Sequence, residues 1–139
     1  MHTPEVVMPK VRPFLMFQGG VAQDALDRYL STFPNSEILS LEKYADETHA
    51  PKGYIKLAVF SLCGQEYMCS DSPINHDFSF TPSSSTFVEF DSQHEFDHVF
   101  NHLSNGGEIL MPPGNYGFSK HFAWVNDQFG VSWQLSVAV

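Results

Sequence analysis

Apolar residues recur along this chain in two helical stripes, and each stripe is followed by alternating strands. Leu26, Tyr29, Leu30 and Phe33 stand at i, i+3, i+4 and i+7, the spacing of one buried helix face. Phe96, Val99, Phe100 and Leu103 repeat that spacing in the second half. Pro34-Asn35 ends the first stripe and Asn105-Gly106-Gly107 the second, over a helix predicted at 93–104. Residues 54–70 read as strand, glycine turn, strand, and residues 117–135 read the same way around Asn126–Gly130. Short strands at 12–17, 37–44, 86–91 and 108–111 complete the pattern. Polar loops at 45–53 and 112–116 separate them, and the turn-forming stretch 71–84 divides the halves.

The order strand, helix, three strands therefore occurs twice. The predicted fold is α+β and a single domain over 1–139. It contains two βαβββ modules, at about 11–71 and 85–139, joined by a linker at about 72–84. Each module is expected to form a four-stranded sheet with one apolar face under its helix and one face open. Placed edge to edge, the two would make a curved eight-stranded mixed sheet with a central concave pocket.

Composition narrows the partners. Thirteen Phe, five Tyr and two Trp in 139 residues provide ample core area. Seven basic against sixteen acidic side chains leave a net charge of −9. That disfavours nucleic acid and anionic membranes, which both need a positive footprint, although Lys52, Lys56 and Lys120 remain available for a local patch. No apolar run of about 18 residues is present to span a bilayer. Residues 1–10 are polar, carry Pro4 and Pro9, lack a signal-peptide core, and read as a loose leader. The expected location is cytoplasmic. Cys63 and Cys69 fit no Cys-x-x-Cys motif. A two-residue turn at Gly64-Gln65 would set Cys63 opposite Glu66 and Cys69 opposite Phe60, too poorly matched to pair, so both read as structural thiols.

Two local motifs carry less chemistry than their composition suggests. Gln18-Gly19-Gly20 stands between strand and helix but lacks the full Gly-x-Gly-x-x-Gly spacing, so the glycines read as a tight turn and give no support to an S-adenosylmethionine site. His94, His98 and His102 repeat every four residues, a spacing at which two imidazoles can share a metal. The phase of the apolar stripe sets them on the solvent side, among Glu95 and Asp97. His49, His76 and His121 have no sequence partner.

The segments Pro13–Gly20, Asp24–Ile38 and Asn126–Leu135 resemble the PhnB-like branch of the vicinal oxygen chelate superfamily, the branch labelled 3-demethylubiquinone 3-methyltransferase-like. That superfamily includes glyoxalase I, bleomycin-resistance proteins and extradiol dioxygenases. Phe129-Gly-Val-Ser-Trp-Gln134 is the most specific stretch; the loop 111–117 departs from the branch pattern. The resemblance implies a homodimer with pockets completed across subunits. It also implies metal ligands, where a member uses them, at inward positions on the first and fourth strands of each module. Carried over, those positions are Arg12 (or Pro13), Met68, Ser85 (or Thr86) and Gln134. Arginine cannot coordinate, and only the Gln134 amide oxygen is a plausible donor, so the expectation is no metal and no other cofactor.

With Gln134 facing inward, alternation adds Ser132 and Ser136 to the open face and turns Trp133 and Leu135 towards a helix. Phe14, Met16, Met68, Phe87 and Glu89 point inward as well, with Glu66 and Ser70 beside Met68. Phe122 and Trp124 join them, with Lys120 alongside. This aromatic and methionine-rich hollow suits a small apolar or planar organic ligand oriented by Glu89 and Gln134. Glu89, if buried there, is a candidate catalytic general base, because desolvation disfavours its charged form unless Arg12 or Lys120 reaches it. Three functions follow as expectations: metal-free small-molecule binding; an enzyme, metal-dependent with glyoxalase- or dioxygenase-type lyase or oxidoreductase chemistry, or acid–base through Glu89; and a structural or regulatory dimer whose hollow is filled by its own side chains.

Overall fold

The computed structural model describes residues 7–138. The first six positions of the polar leader, and Val139, lie outside the described residues. The elements in order are β1 (Phe14–Gln18), α1 (Ala22–Thr32), β2 (Glu37–Lys43), β3 (Ile55–Leu62), β4 (Gln65–Ser72), β5 (Thr86–Phe90), α2 (Gln93–Ser104), β6 (Glu108–Gly114), β7 (His121–Asn126) and β8 (Ser132–Val137). The duplicated βαβββ plan is present. The strands form two four-stranded sheets, ordered β1-β4-β3-β2 and β5-β8-β7-β6, with backbone strand pairing confined within each. In each sheet the first strand runs parallel to the fourth and the other pairs are antiparallel.

Some boundaries differ from the sequence reading for identifiable reasons. β1 begins at Phe14 because Pro13 has no N–H to donate, although its carbonyl still accepts from Met68 N at 2.9 Å. β6 runs on through Pro112 and Pro113 to Gly114, which a sheet-edge strand permits because its outer side need donate to no neighbour. The first hairpin turns at Cys63-Gly64, one residue earlier than predicted. Both residues have positive φ, 51° and 88°, as a tight two-residue hairpin turn of the primed kind requires. Leu62 consequently pairs with Gln65 and Cys69 with Ala58. Cys63 lies in the turn itself, and both thiols are free.

The helical stripes bury as their spacing predicts. Leu26, Tyr29 and Phe33 are buried in the first, and Phe96, Val99 and Leu103 in the second; Leu30 and Phe100 are partly covered. Ser92 Oγ caps α2 by accepting from Glu95 N at 3.2 Å. α1 has no such residue of its own. Asp71 on β4 supplies the acceptor instead, taking Ala22 N and Ile55 N, each at 2.9 Å. This carboxylate, 1% exposed, locks the helix N-terminus to its sheet. Gly19 and Gly20 precede it at φ 79° and 77°, confirming the tight strand-to-helix turn.

The modules join through their helix-bearing sides into one core. Tyr29 packs edge-on to Trp133 at 5.2 Å, Phe33 lies 5.4 Å from Trp133, and Phe17 meets Phe129 at 6.3 Å. Asp127, in the β7–β8 turn, clasps the junction. Its Oδ2 accepts from Tyr29 OH at 2.6 Å and Trp133 Nε1 at 3.0 Å, and its Oδ1 accepts from the backbone N–H groups of Phe129 and Val131.

Gly107, between α2 and β6, touches the same turn from the other side. A Cβ there would collide with the carbonyl oxygen of Asn126 and press on the Asp127 backbone. Gly107→Ala is therefore expected to lower stability by about 2 kcal/mol, since backbone must move to relieve the overlap. Urea unfolding of the variant against the parent checks it.

Candidate functional site

The strand pairings settle which side chains share each open face. In module one Phe14 lies opposite Met68, Met16 opposite Ser70 and Gln18 opposite Ser72. In module two Phe87 and Trp124 flank Gln134, and Glu89 and Phe122 flank Ser136. Residues directly opposite on paired strands point the same way, so each set forms one surface. Arg12 and Ser85 share the alternation of Phe14 and Phe87. Thr86 turns to the core side, where its Oγ1 accepts from Tyr67 OH at 3.4 Å.

Within one chain these two surfaces do not share a hollow. The modules meet through their helix sides, so each open face lies opposite the common core. Two grooves of about 490 Å³ each lie between the modules: one along β5, bordered by Pro13, Phe33, Cys63, Tyr67, Phe87 and Glu89 among others, and one beside α2, bordered by Phe33, Pro34, Glu89, Phe90, His98 and Val99 among others. Of the residues expected to line a pocket between modules, Phe87 borders the first groove and Glu89 both. Phe14, Met16, Met68, Phe122, Trp124 and Gln134 border neither. The eight predicted residues therefore fall into a module-one group and a module-two group. The reason is topological: alternation assigns a face, and the packing of the helices decides which way that face looks.

Tertiary contacts build up both faces. The β6–β7 loop folds over module two, bringing Phe118 to 4.8 Å and Tyr116 to 5.9 Å from Phe122. Phe122 is buried as a result, while Phe87, 6.4 Å from it, stays half exposed. The loop is pinned by buried Ser119, whose Oγ lies 2.7 Å from Ser136 Oγ. Trp124 Nε1 donates to Ser132 Oγ and Gln134 Nε2 donates to Ser85 Oγ, each at 2.8 Å, so the carbonyl oxygen is the remaining polar atom of Gln134. Tyr116, Phe118 and Ser119 were not among the predicted lining residues. The signal that points to them is a pair of aromatics around Gly117, next to a strand of the face.

On module one, Gln18 grips the linker with both ends of its amide. Its Nε2 donates to Phe78 O at 2.8 Å, and its Oε1 accepts from His76 N at 2.7 Å. His76 stacks on Phe78 at 4.6 Å, with its Nε2 2.9 Å from Ser72 Oγ. His121, also without a sequence partner, packs edge-on to Phe96 at 4.8 Å.

Two chemical expectations meet the geometry differently. Glu89 is exposed in the single chain, so the desolvation on which its general-base role was conditional is not supplied by that chain alone. Arg12 does not turn to it but lies 3.5 Å from Glu66. Arg12, Met68, Ser85 and Gln134, the positions that the resemblance implies for metal ligands, hold a paired guanidinium, a thioether, a hydroxyl and an amide hydrogen-bonded to that hydroxyl. This donor set does not fit a divalent ion, which wants imidazole, carboxylate or thiolate.

A profile of the 3-demethylubiquinone-9 3-methyltransferase family matches residues 9–136. Among solved structures, a PhnB protein from Bacillus cereus is 47% identical, covering 94% of this chain and 100% of its own, with a TM-score of 0.89. Protein PA1353 from Pseudomonas aeruginosa is 25% identical over 94% of this chain and 98% of its own, with a TM-score of 0.77. A glyoxylase/bleomycin resistance protein/dioxygenase domain from Frankia sp. EAN1pec shares the fold at 11% identity, covering 96% of this chain and 100% of its own, TM-score 0.65. No curated protein matches. With the family profile spanning nearly the whole chain and the duplicated βαβββ fold shared, the chain belongs to the 3-demethylubiquinone-9 3-methyltransferase (PhnB-like) family.

Proposed function

We propose that this protein binds a small apolar or planar aromatic molecule, without a superfamily-type metal, in a hollow completed by a second copy of itself. The observation that carries this reading is the pair of unsatisfied strand edges. β1 is bonded to β4 and β5 to β8, and each ends its sheet. The carbonyls of Pro13 and Phe90 point inward to β4 and to the end of β8. Alternation then turns the backbone groups of Phe14, Met16, Phe87 and Glu89 outward. Phe14 and Phe87 are each 51% exposed on those edges, a poor arrangement for an isolated chain.

Laying β1 of one copy beside β5 of another would cover both edges. It would also set Phe14, Met16 and Met68 across from Phe87, Trp124 and Gln134. The resulting wall is aromatic and thioether, with the Gln134 carbonyl as the orienting polar atom, which suits a flat organic ligand. The mismatch of the donor set with a metal ion favours binding over metal-assisted catalysis.

Sedimentation and native mass spectrometry test the assembly. The parent is expected to be a dimer at micromolar concentration and to carry an organic ligand when taken from its own cells. Phe14→Asp and Phe87→Asp are each expected to yield folded monomer without ligand. A parent that stays monomeric at that concentration, or a folded monomeric variant that retains the ligand, would refute the proposal.

A further inference from the structure

We propose that His98 and His102 form a two-histidine site for a borderline divalent metal ion such as zinc, at the surface where α1 meets α2. The residues stand one turn apart on α2, and their ring centroids are 4.3 Å apart with planes tilted 43°. His98 is exposed. His102, expected to be on the solvent side, instead reaches α1.

That contact favours one ring nitrogen as the free one. Thr32 Oγ1 lies 2.6 Å from Arg28 O, and a carbonyl can only accept, so the hydroxyl hydrogen points there. His102 Nδ1 lies 3.5 Å from the same hydroxyl oxygen, which has only lone pairs left to offer. In the tautomer with the hydrogen on Nδ1 this contact becomes a long hydrogen bond, and Nε2 keeps its lone pair. An Nδ1–H held by an oxygen acceptor is the usual support behind an Nε2 metal ligand.

The electrostatics suit a cation of modest affinity. His102 lies in the last turn of α2, where the carbonyl ends favour positive charge, on a chain of net charge −9. Arg28 opposes this, but its guanidinium is committed to His102 O at 2.7 Å and Gln128 Oε1 at 2.8 Å. A hollow of about 290 Å³, bordered by Arg28, Ser31, Asn101, His102 and Asn105, adjoins the His102 ring. Among the described residues no three His, Cys, Asp or Glu groups are arranged around an ion, so His94 does not join and the site has two protein ligands.

Zinc titration of the full-length, untagged chain by calorimetry tests the site, with histidine ring proton shifts as the second readout. One equivalent should bind in the micromolar range and shift the ring protons of His98 and His102. His98→Ala and His102→Ala should each weaken binding by about tenfold or more, and Thr32→Val by a smaller factor. His94→Ala should leave affinity within about twofold. Urea midpoints verify that each variant is folded; His98 is exposed, so at least that variant keeps the test informative. No binding by the parent, unchanged affinity in His98→Ala, or an equal loss in His94→Ala would overturn the proposal.

Discussion

Replacing Asp127 by alanine is expected to cost about 4 kcal/mol of unfolding free energy, because four donors would lose their acceptor at once. Asp127 is 4% exposed, and the Tyr29 hydroxyl, the Trp133 indole and two backbone amides all converge on its carboxylate. Tyr29 belongs to module one and Trp133 to module two, so the loss would loosen the junction as well as the turn. A small domain has only about 5–15 kcal/mol in total, which places the variant near the limit of folding. Asp127→Asn would do less damage, about 2 kcal/mol, since the amide carbonyl still serves the backbone N–H groups while its NH2 faces the indole donor. Urea unfolding followed by Trp fluorescence gives both values. Equal stability of Asp127→Ala and the parent would show that the clasp is not holding the modules together.

The same carboxylate fixes a pH expectation. Burial raises the Asp127 pKa, and its four hydrogen bonds pull it part of the way back. Its folded form thus holds a proton to higher pH than the unfolded form. The stability linked to this group is present at acid pH and falls as pH rises through the folded pKa. Asp127 is accordingly not a trigger for acid unfolding.

The second large effect lies at alkaline pH, where stability is expected to fall by about 3 kcal/mol between pH 8 and pH 10.5. Burial pushes the Cys69 thiol from 9.0 up to about 12, with Asp71 adding to the shift. Burial and the Asp127 carboxylate hold Tyr29 well above its ordinary 10.0, and burial raises Tyr67 also. In each case the folded chain keeps a proton that the unfolded chain releases. The native state therefore binds more protons from about pH 9 upward, and stability declines as pH rises. Cys69 supplies about 2 kcal/mol of the decline at pH 10.5. Denaturant unfolding at the two pH values checks the total, and Cys69→Ala should flatten the dependence by that share. A parent whose stability is level from pH 8 to 10.5 would contradict the assignment.

The parts legible in the sequence were those that local spacing controls. The i, i+3, i+4, i+7 stripes placed α1 and α2, and α2 occupies the predicted 93–104. Strand alternation put Phe122 and Trp124 on the face of Gln134, as the pairing shows. The first hairpin turn was displaced by one residue because a cysteine took a left-handed position that composition assigns to glycine or asparagine. Asp71 and Asp127 read as linker and turn polarity, yet each is buried and holds distant backbone in place.

The sequence by itself thus determined the duplicated βαβββ plan, the two buried helix stripes and the side of each sheet on which a residue stands, since all of these depend on neighbours a few positions away. Only the tertiary structure decided that the modules meet through their helices, that the Phe14 and Phe87 faces look away from the shared core, and that Tyr116, Phe118 and His102 acquire partners. Those outcomes depend on contacts between residues up to about a hundred positions apart, such as Tyr29 with Asp127, and no local periodicity records which distant surfaces will cover one another.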